Sequence, residues 1–299
     1  MKTKKLIRLI SLTLFLFTII FGAEAFTLLA DDSEILLSTS TIRPGDMVQI
    51  KVKAPPETKI RAIFLGVKKQ LLFYGANTYI GMLAASYYTK PGTYPLAMEI
   101  IQEQGNTTAM YQIEVTERQF PEDRIKVPEA TRKAILTDQN IESDTKTAQA
   151  VRQKTQIEPA LPMWREPFIW PLKGRLTTDF GLIRYVNDIE NGRHSGLDIA
   201  APSGTPVAAI NDGRVVLVQK LYQTGLTVIV YHGLDVYSTY GHLSAFKVKE
   251  GDLVTKGSVI GLVGATGLAT GPHLHLTLRV GDVCVDPYLF LDKNPGWEF

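Results

Sequence analysis

The sequence predicts an all-β protein with a small N-terminal β-sandwich, a partly helical linker and a C-terminal antiparallel β-sheet domain. Apolar and polar residues alternate in short segments before residue 117, as in half-buried strands. Strand-like segments with frequent glycines return after Trp170, and a polar stretch without alternation separates the two regions. With 299 residues, 45% of them hydrophobic, the chain is long enough to form two modest cores.

Residues 1–25 have the organisation of a secretory signal peptide. Four basic residues up to Arg8 precede an apolar run of about 14 residues, and Ala23-Glu24-Ala25 provides small residues for cleavage. A retained membrane anchor is the alternative, but the run is short for a bilayer span, which needs about 20 apolar residues. We therefore expect export across the inner membrane to the periplasm, cell envelope or exterior, without a stable membrane span after cleavage.

Residues 33–117 are predicted to form the β-sandwich domain. Residues 48–53 and 111–115 alternate with period two, and turn sequences such as Arg43-Pro44-Gly45-Asp46 separate the runs. Short strands at this spacing are typical of a sandwich, for which an immunoglobulin-like arrangement is one option. The region has no histidine and its acidic residues are dispersed. We expect it to bind, space or regulate rather than catalyse.

Residues 118–163 are predicted to be a linker with short helices, and residues 166–292 a second domain. The segment from Glu129 to about Gln156 is compatible with helix but offers only a thin apolar face. The second domain contains no convincing helical pattern. Its best strand candidates are residues 214–219, 226–231, 236–243, 258–263 and 273–280.

Charge and cysteine content exclude several classes of function. The net charge of +2 arises from scattered Lys and Arg residues, so no basic stripe suggests a nucleic-acid partner. Cys284 is the only cysteine, which excludes an intramolecular disulfide and favours a small buried residue in a strand. We expect a monomer.

All five histidines fall between His194 and His275, a clustering that favours metal or acid–base chemistry. His273 and His275 are two residues apart in a predicted strand, so both imidazoles would project from one face while Leu274 and Leu276 face a core. Two histidines on one side of a strand can provide half of a metal site.

His194 and Asp198 form a second candidate pair. Neighbouring glycines favour an extended or looped segment, in which residues four apart also share a face. Imidazole nitrogen and carboxylate oxygen are good zinc donors, and catalytic zinc typically has three protein ligands and an open position. His242 and His273 could then accept a proton and stabilise developing charge. His232 precedes a turn without a second motif residue, which favours a structural role.

The C-terminal region resembles the lysostaphin-type, LytM-like zinc metallopeptidase family over about residues 166–292. The family's motifs occur here in order. They are Phe180-Gly181, His194-Ser195-Gly196-Leu197-Asp198, Gly204-Thr205-Pro206-Val207, Tyr240-Gly241-His242-Leu243 and the segment from Gly264 to His275. The resemblance implies that one Zn²⁺ is held by His194, Asp198 and His275, with His242 and His273 as catalytic residues.

The resemblance also implies a zinc metalloendopeptidase that cuts peptidoglycan cross-links or stem peptides in the cell envelope. Related domains often carry an Arg-Arg pair after Phe-Gly, where this chain has Ile183-Arg184, and an aromatic residue and Glu after the last histidine, where it has Leu276-Thr277. Arg184 alone would then orient a substrate carboxylate.

Two other hypotheses remain. The protein could be a non-catalytic envelope scaffold or an activator of another wall hydrolase, although inactive relatives generally lack metal ligands and every ligand position is filled here. Alternatively, the resemblance implies a substrate groove, and the linker could cover this groove of an active enzyme until it is displaced or cut.

Overall fold

The computed structural model describes residues 27–28, 34–103, 105–157, 160–293 and 295. The predicted signal peptide lies outside the described residues. Strands dominate the described chain, and the all-β prediction is confirmed. None of the helices in these ranges is long and apolar enough to cross a membrane.

Ten strands in the N-terminal region form two five-stranded sheets. One sheet has the order β1-β2-β4-β8-β7 and the other has the order β3-β10-β9-β5-β6. The strands are β1 (Thr27–Leu28), β2 (Glu34–Leu37), β3 (Thr41–Ile42), β4 (Met47–Lys53), β5 (Lys59–Phe64), β6 (Val67–Gln70), β7 (Leu72–Gly75), β8 (Thr78–Ala84), β9 (Gly92–Gln102) and β10 (Gly105–Val115).

One apolar cluster joins the two N-terminal sheets. In β4, Val48, Ile50 and Val52 are buried while their neighbours are more exposed, which confirms the predicted alternation. Strand β8 is buried on both faces. One face joins the N-terminal cluster, whereas Ile80 and Met82 on the other join the core of the C-terminal region. The two regions are therefore packed together through β8.

The chain between the two regions is more ordered than a simple connection. It contains strand β11 (Glu122–Ile125), helix α1 (Glu129–Ile135) and helix α2 (Asp138–Ile157). The twenty residues of α2 make it longer than the short helices expected from the sequence. Polar contacts hold α2 in place: Arg152 pairs with Asp282, and the Asp144 carboxylate accepts hydrogen bonds from the backbone N–H groups of Tyr222 and Gln223.

The C-terminal region is built on a ten-stranded sheet with the central order β12-β15-β22-β19-β18-β17-β20, to which β16, β21 and β23 are added. Strands β13 and β14 form a separate sheet with β11. The strands are β12 (Arg175–Thr178), β13 (Ile183–Val186), β14 (Ile189–Arg193), β15 (Leu197–Ala200), β16 (Pro206–Ala208), β17 (Gly213–Leu221), β18 (Gly225–Tyr231), β19 (Val236–Phe246), β20 (Leu253–Val254), β21 (Val259–Val263), β22 (His273–Val280) and β23 (Val283–Val285), and a 3₁₀ turn spans Pro287–Leu289.

All pairings within the ten-stranded sheet are antiparallel, and its strands match the predicted segments closely. In β22, Leu274, Leu276 and Leu278 are fully buried on the face that builds the core. Cys284 is also buried and free, as expected of a small residue in a strand. The opposite face of β22 carries the histidines.

Candidate metal centre

Antiparallel pairing of β15 with β22 places two of the predicted ligands side by side. Asp198 lies directly opposite His275, and Ala200 lies opposite His273. On the other side of β22, Gly241 of β19 is opposite His275. Because directly opposed residues of an antiparallel pair project from the same face, the carboxylate and both imidazoles share one space.

The third predicted ligand, His194, lies between β14 and β15. Backbone hydrogen bonds with the segment of Gly181 and Leu182 hold it on both sides. Its Nδ1 donates to the carbonyl oxygen of Asp179 at 2.7 Å, since a carbonyl can only accept. This leaves Nε2 as the ring nitrogen that is directed at Asp198.

Three donor atoms converge at this point. The Nε2 of His194 is 2.9 Å from Oδ1 of Asp198 and 3.1 Å from Nδ1 of His275, and the last nitrogen is 2.8 Å from the same Oδ1. This is the one group with metal-ligand geometry among the described residues. A tetrahedral zinc ion with bonds of about 2.1 Å separates its donors by roughly 3.4 Å, so a small adjustment accommodates the ion.

Burial supports a cation at this position. His194, Asp198 and His275 are 4%, 6% and 6% exposed. Burial alone would raise the pKa of the Asp198 carboxyl, but hydrogen bonds from His194 and His275 outweigh it and hold the pKa well below the usual value. Burial also lowers the pKa of His275, which favours the neutral, metal-binding ring. A carboxylate oxygen and two imidazole nitrogens match the donors that zinc prefers.

The two predicted catalytic histidines lie beside the donor set. The rings of His242 and His273 are 4.6 Å apart between centroids, and the His242 ring is 5.9 Å from that of His275. The Nδ1 of His242 donates to the carbonyl of Thr266 at 2.7 Å, and that of His273 donates to the carbonyl of Gly271 at 2.8 Å. In each neutral ring, Nε2 is left with a lone pair.

His242 is held in an unusual environment. Its φ of 60° lies in the left-handed region, which is strained for a residue with a side chain. Its backbone N–H donates to the carbonyl of Thr224 at 2.6 Å, which keeps the ring in place. Burial, followed by the neighbouring His273 and His275, lowers the pKa of His242 to about 3. The ring is therefore neutral.

His232 lies in a different polar network. Its Nδ1 donates to the carbonyl of Asp212, its Nε2 contacts the hydroxyl of Ser238 at 2.7 Å, and its ring packs against Phe168. Burial lowers its pKa to about 4. These contacts fit the structural role predicted for it.

Arg184 lies next to the donor set, where it also pairs with Asp123, a residue that the sequence analysis did not single out. Its Nη2 is 3.5 Å from Oδ2 of Asp198, and its Nε is 2.5 Å from Oδ2 of Asp123. Asp123 lies in β11, which pairs in parallel with β13 and places the two residues opposite each other. Sequence reasoning missed Asp123 because its segment has no pattern beyond general polarity.

Sequence reasoning also gave no role to Ser195 and Thr277, whose hydroxyls are 3.2 Å and 2.9 Å from Nε2 of His275.

A buried His-Asp-His donor set with two free imidazoles on one face of an antiparallel sheet defines a zinc-hydrolase type of site. Comparison with known proteins makes the assignment specific. A family model described as peptidase family M23 matches residues 192–287. The crystal structure of a Pseudomonas aeruginosa protein provisionally named peptidase M23 is 30% identical, has a TM-score of 0.57 and covers 83% of this chain and 94% of that one. The chain belongs to peptidase family M23.

Curated relatives match over the site region. The DD-carboxypeptidase/endopeptidase Mpg of Neisseria meningitidis serogroup B is 46% identical over 94 residues, 31% of this chain. The peptidoglycan DD-endopeptidase ShyB of Vibrio cholerae is 45% identical over 94 residues, also 31% of this chain. The match spans 22% of the length of each of these relatives. The predicted resemblance to the lysostaphin-type family is confirmed.

Proposed function

We propose that this protein is a zinc-dependent endopeptidase that hydrolyses peptide bonds of peptidoglycan cross-links or stem peptides in the periplasm or cell envelope. The observation that carries the proposal is the convergence of His194, Asp198 and His275 within 3.1 Å of one another, beside two histidines that no ligand role requires. The substrate class is supported by relatives named as peptidoglycan DD-endopeptidases.

His194 through Nε2, Asp198 through Oδ1 and His275 through Nδ1 would hold the zinc ion. Zinc bound at such a site supplies Lewis acidity toward water and toward the scissile carbonyl. Asp198 contributes the negative charge of the donor set. Nη2 of Arg184 lies 3.5 Å from the other carboxylate oxygen of Asp198.

His242 and His273 would share the proton transfers. Each donates from Nδ1 to a backbone carbonyl, so each offers Nε2 to the attacking water. Once protonated, either ring can donate to the tetrahedral oxyanion or to the departing amine. Gly241 and Ala200 flank the histidines on the neighbouring strands.

The test is digestion of intact cell-wall sacculi by the purified protein, followed by mass spectrometry of the released fragments. New peptide ends are expected with zinc-loaded protein, and they should disappear with a chelator and return when zinc is restored. Absence of new ends from zinc-loaded protein would contradict the enzymatic proposal and favour the scaffold or activator. His273→Ala and His275→Ala form a matched pair, because the two residues lie two positions apart on the same face of β22.

A further inference from the structure

Two hydroxyl groups lie behind the proposed metal ligand His275. Oγ1 of Thr277 is 2.9 Å from Nε2 of His275, and Oγ of Ser195 is 3.2 Å from the same nitrogen. The two oxygens are 3.1 Å from each other. Together they contact the ring nitrogen that is not directed at Asp198, whose Oδ1 is 2.8 Å from Nδ1.

The backbone is shaped to bring these groups together. Thr277 follows His275 by two positions in β22, so its side chain shares the face of the imidazole. Ser195 reaches the same place because Gly196 passes very close to β22. A Cβ at position 196 would lie 2.0 Å from the carbonyl oxygen of Leu276 and 2.9 Å from Cα of Thr277. Glycine is therefore required at position 196 for the serine hydroxyl to approach the ring.

The two hydroxyls can accept a hydrogen bond from the imidazole ring of His275. A ring that offers the Nδ1 lone pair to a metal carries its proton on Nε2, and that N–H needs an acceptor. Thr277 is 4% exposed and His275 is 6% exposed, so the hydroxyls replace water in this role. An N–H held by an oriented acceptor fixes the ring's tautomer and its rotation.

We propose that Thr277, assisted by Ser195, is a positioning residue that presents Nδ1 of His275 to the zinc ion. The inference rests on the proposed zinc centre and deepens it. Neither hydroxyl belongs to the donor set. Both are uncharged, so they orient the ring while Asp198 alone supplies negative charge to the donors.

The test measures zinc affinity by competition with a chromophoric chelator, in the full chain and without substrate. Thr277→Val is expected to weaken zinc binding about 10-fold, and Thr277→Val combined with Ser195→Ala about 100-fold, the range found when such outer partners are removed. Thr277→Ser retains the hydroxyl and should bind zinc as the unmodified protein does. Ser195→Ala alone should have a smaller effect, because Thr277 remains.

Thr239→Val is the matched control. Thr239 lies directly opposite Thr277 on β19, so the substitution makes the same chemical change on the same face of the sheet. It should leave zinc affinity unchanged. The absorption spectrum of the cobalt-substituted protein gives a second readout, which should shift in Thr277→Val and not in Thr239→Val.

Zinc affinity equal to the unmodified protein in the double variant would overturn the proposal. Equal weakening in Thr277→Ser or in Thr239→Val would also overturn it, because the loss would not follow the hydroxyl. If Thr277→Val does not fold, Ser195→Ala with Thr277→Ser still tests the shared contact. Failure of the unmodified protein to bind zinc would instead refute the metal centre on which the inference rests.

Discussion

The N-terminal sheets and the C-terminal sheet have similar strand patterns but different interiors. Among the described residues before 117, Thr58 is the one buried polar side chain. The C-terminal sheet region buries many more: His194, Asp198, Asn211, Thr227, His232, Asp235, Ser238, His242, His275, Thr277 and Asp286. Burying a polar group costs free energy unless it is hydrogen-bonded, so the interior of the C-terminal region depends more on side-chain hydrogen bonds than that of the N-terminal region.

Strand β22 contributes both to the apolar core and to the candidate site. Leu274, Leu276 and Leu278 fill the core on one face, while the alternate residues place imidazole and hydroxyl groups on the other. In β4 of the N-terminal region, the alternate residues are Gln49 and Lys51, which are partly buried and share a face with Met82 and Ile80 of β8. The same periodicity therefore yields a face that packs between the two regions in one strand and a functional face in the other.

The two regions should differ most in how zinc content and activity respond to the loss of one buried polar side chain. His275→Ala should lose stoichiometric zinc and reduce peptidase activity about 1,000-fold or more, since a donor of the metal is missing. Thr58→Ala removes a hydroxyl that donates to the carbonyl of Pro55 at 2.7 Å, and should cost about 1 kcal/mol of stability without loss of zinc. Zinc content by elemental analysis and sacculus digestion provide the measurements. Stoichiometric zinc in purified His275→Ala would contradict the ligand assignment.

Substitution of the two histidines that are not metal ligands should have a different effect from substitution of a ligand. His242→Ala and His273→Ala are each expected to retain zinc and to lower kcat about 100-fold or more, because proton transfer and oxyanion stabilisation are lost. Zinc content and kcat are measured on the same preparations. Loss of zinc from His273→Ala to the extent seen in His275→Ala would show that the two histidines do not have separate roles.

The buried histidine outside the site should make stability depend on pH. His232 has a pKa of about 4 when folded against about 6.5 when unfolded, so the unfolded chain binds a proton first as pH falls. Stability is therefore present above pH 6.5 and is lost progressively down to about pH 4, by about 3 kcal/mol from this residue. His232→Gln should reduce the difference in the free energy of unfolding between these two pH values by about that amount. If His232→Gln left this difference in the free energy of unfolding unchanged, burial would not lower the pKa of the His232 ring.

The smallest expected effect concerns the strand that connects the regions. Asp123 of β11 pairs with Arg184, which the sequence predicts to orient a substrate carboxylate, so Asp123 would compete with that carboxylate. Arg184→Gln is expected to raise KM for a peptide with a free carboxylate about 10-fold. Asp123→Asn should instead lower KM about 3-fold, because the guanidinium is released from an ion pair. Equal KM values in both variants would argue against substrate binding by Arg184, and zinc content serves as the control.

Much of the fold could be predicted from the sequence because strand periodicity is a local property. The segments around Val228, Tyr240 and Leu276 alternate or run apolar over their full length, and the structure has strands there. Strand β11 and the length of α2 could not be predicted in this way. Asp123 gains its place only by pairing with β13. Helix α2 is held by an ion pair, by hydrogen bonds and by the apolar packing of Val151 against the C-terminal sheet.

The candidate site, like the fold, could be predicted only in part from the sequence. His273 and His275 share a face by spacing alone, and the i, i+4 spacing of His194 and Asp198 gives a second pair. The contact between these pairs required the register of β15 against β22, which spans 77 residues of sequence. Ser195, Thr277 and Asp123 carry no motif by themselves, so only the folded chain reveals them.

By itself, the sequence determined the all-β class, the donor types and the family to which the chain belongs, since these depend on residue identity and short-range spacing. The tertiary structure decided which atoms meet, which imidazole nitrogen is free and which hydroxyls support His275. The physical reason is that hydrogen-bond direction and burial depend on strand register and on the close approach at Gly196. Neither property is local in the chain.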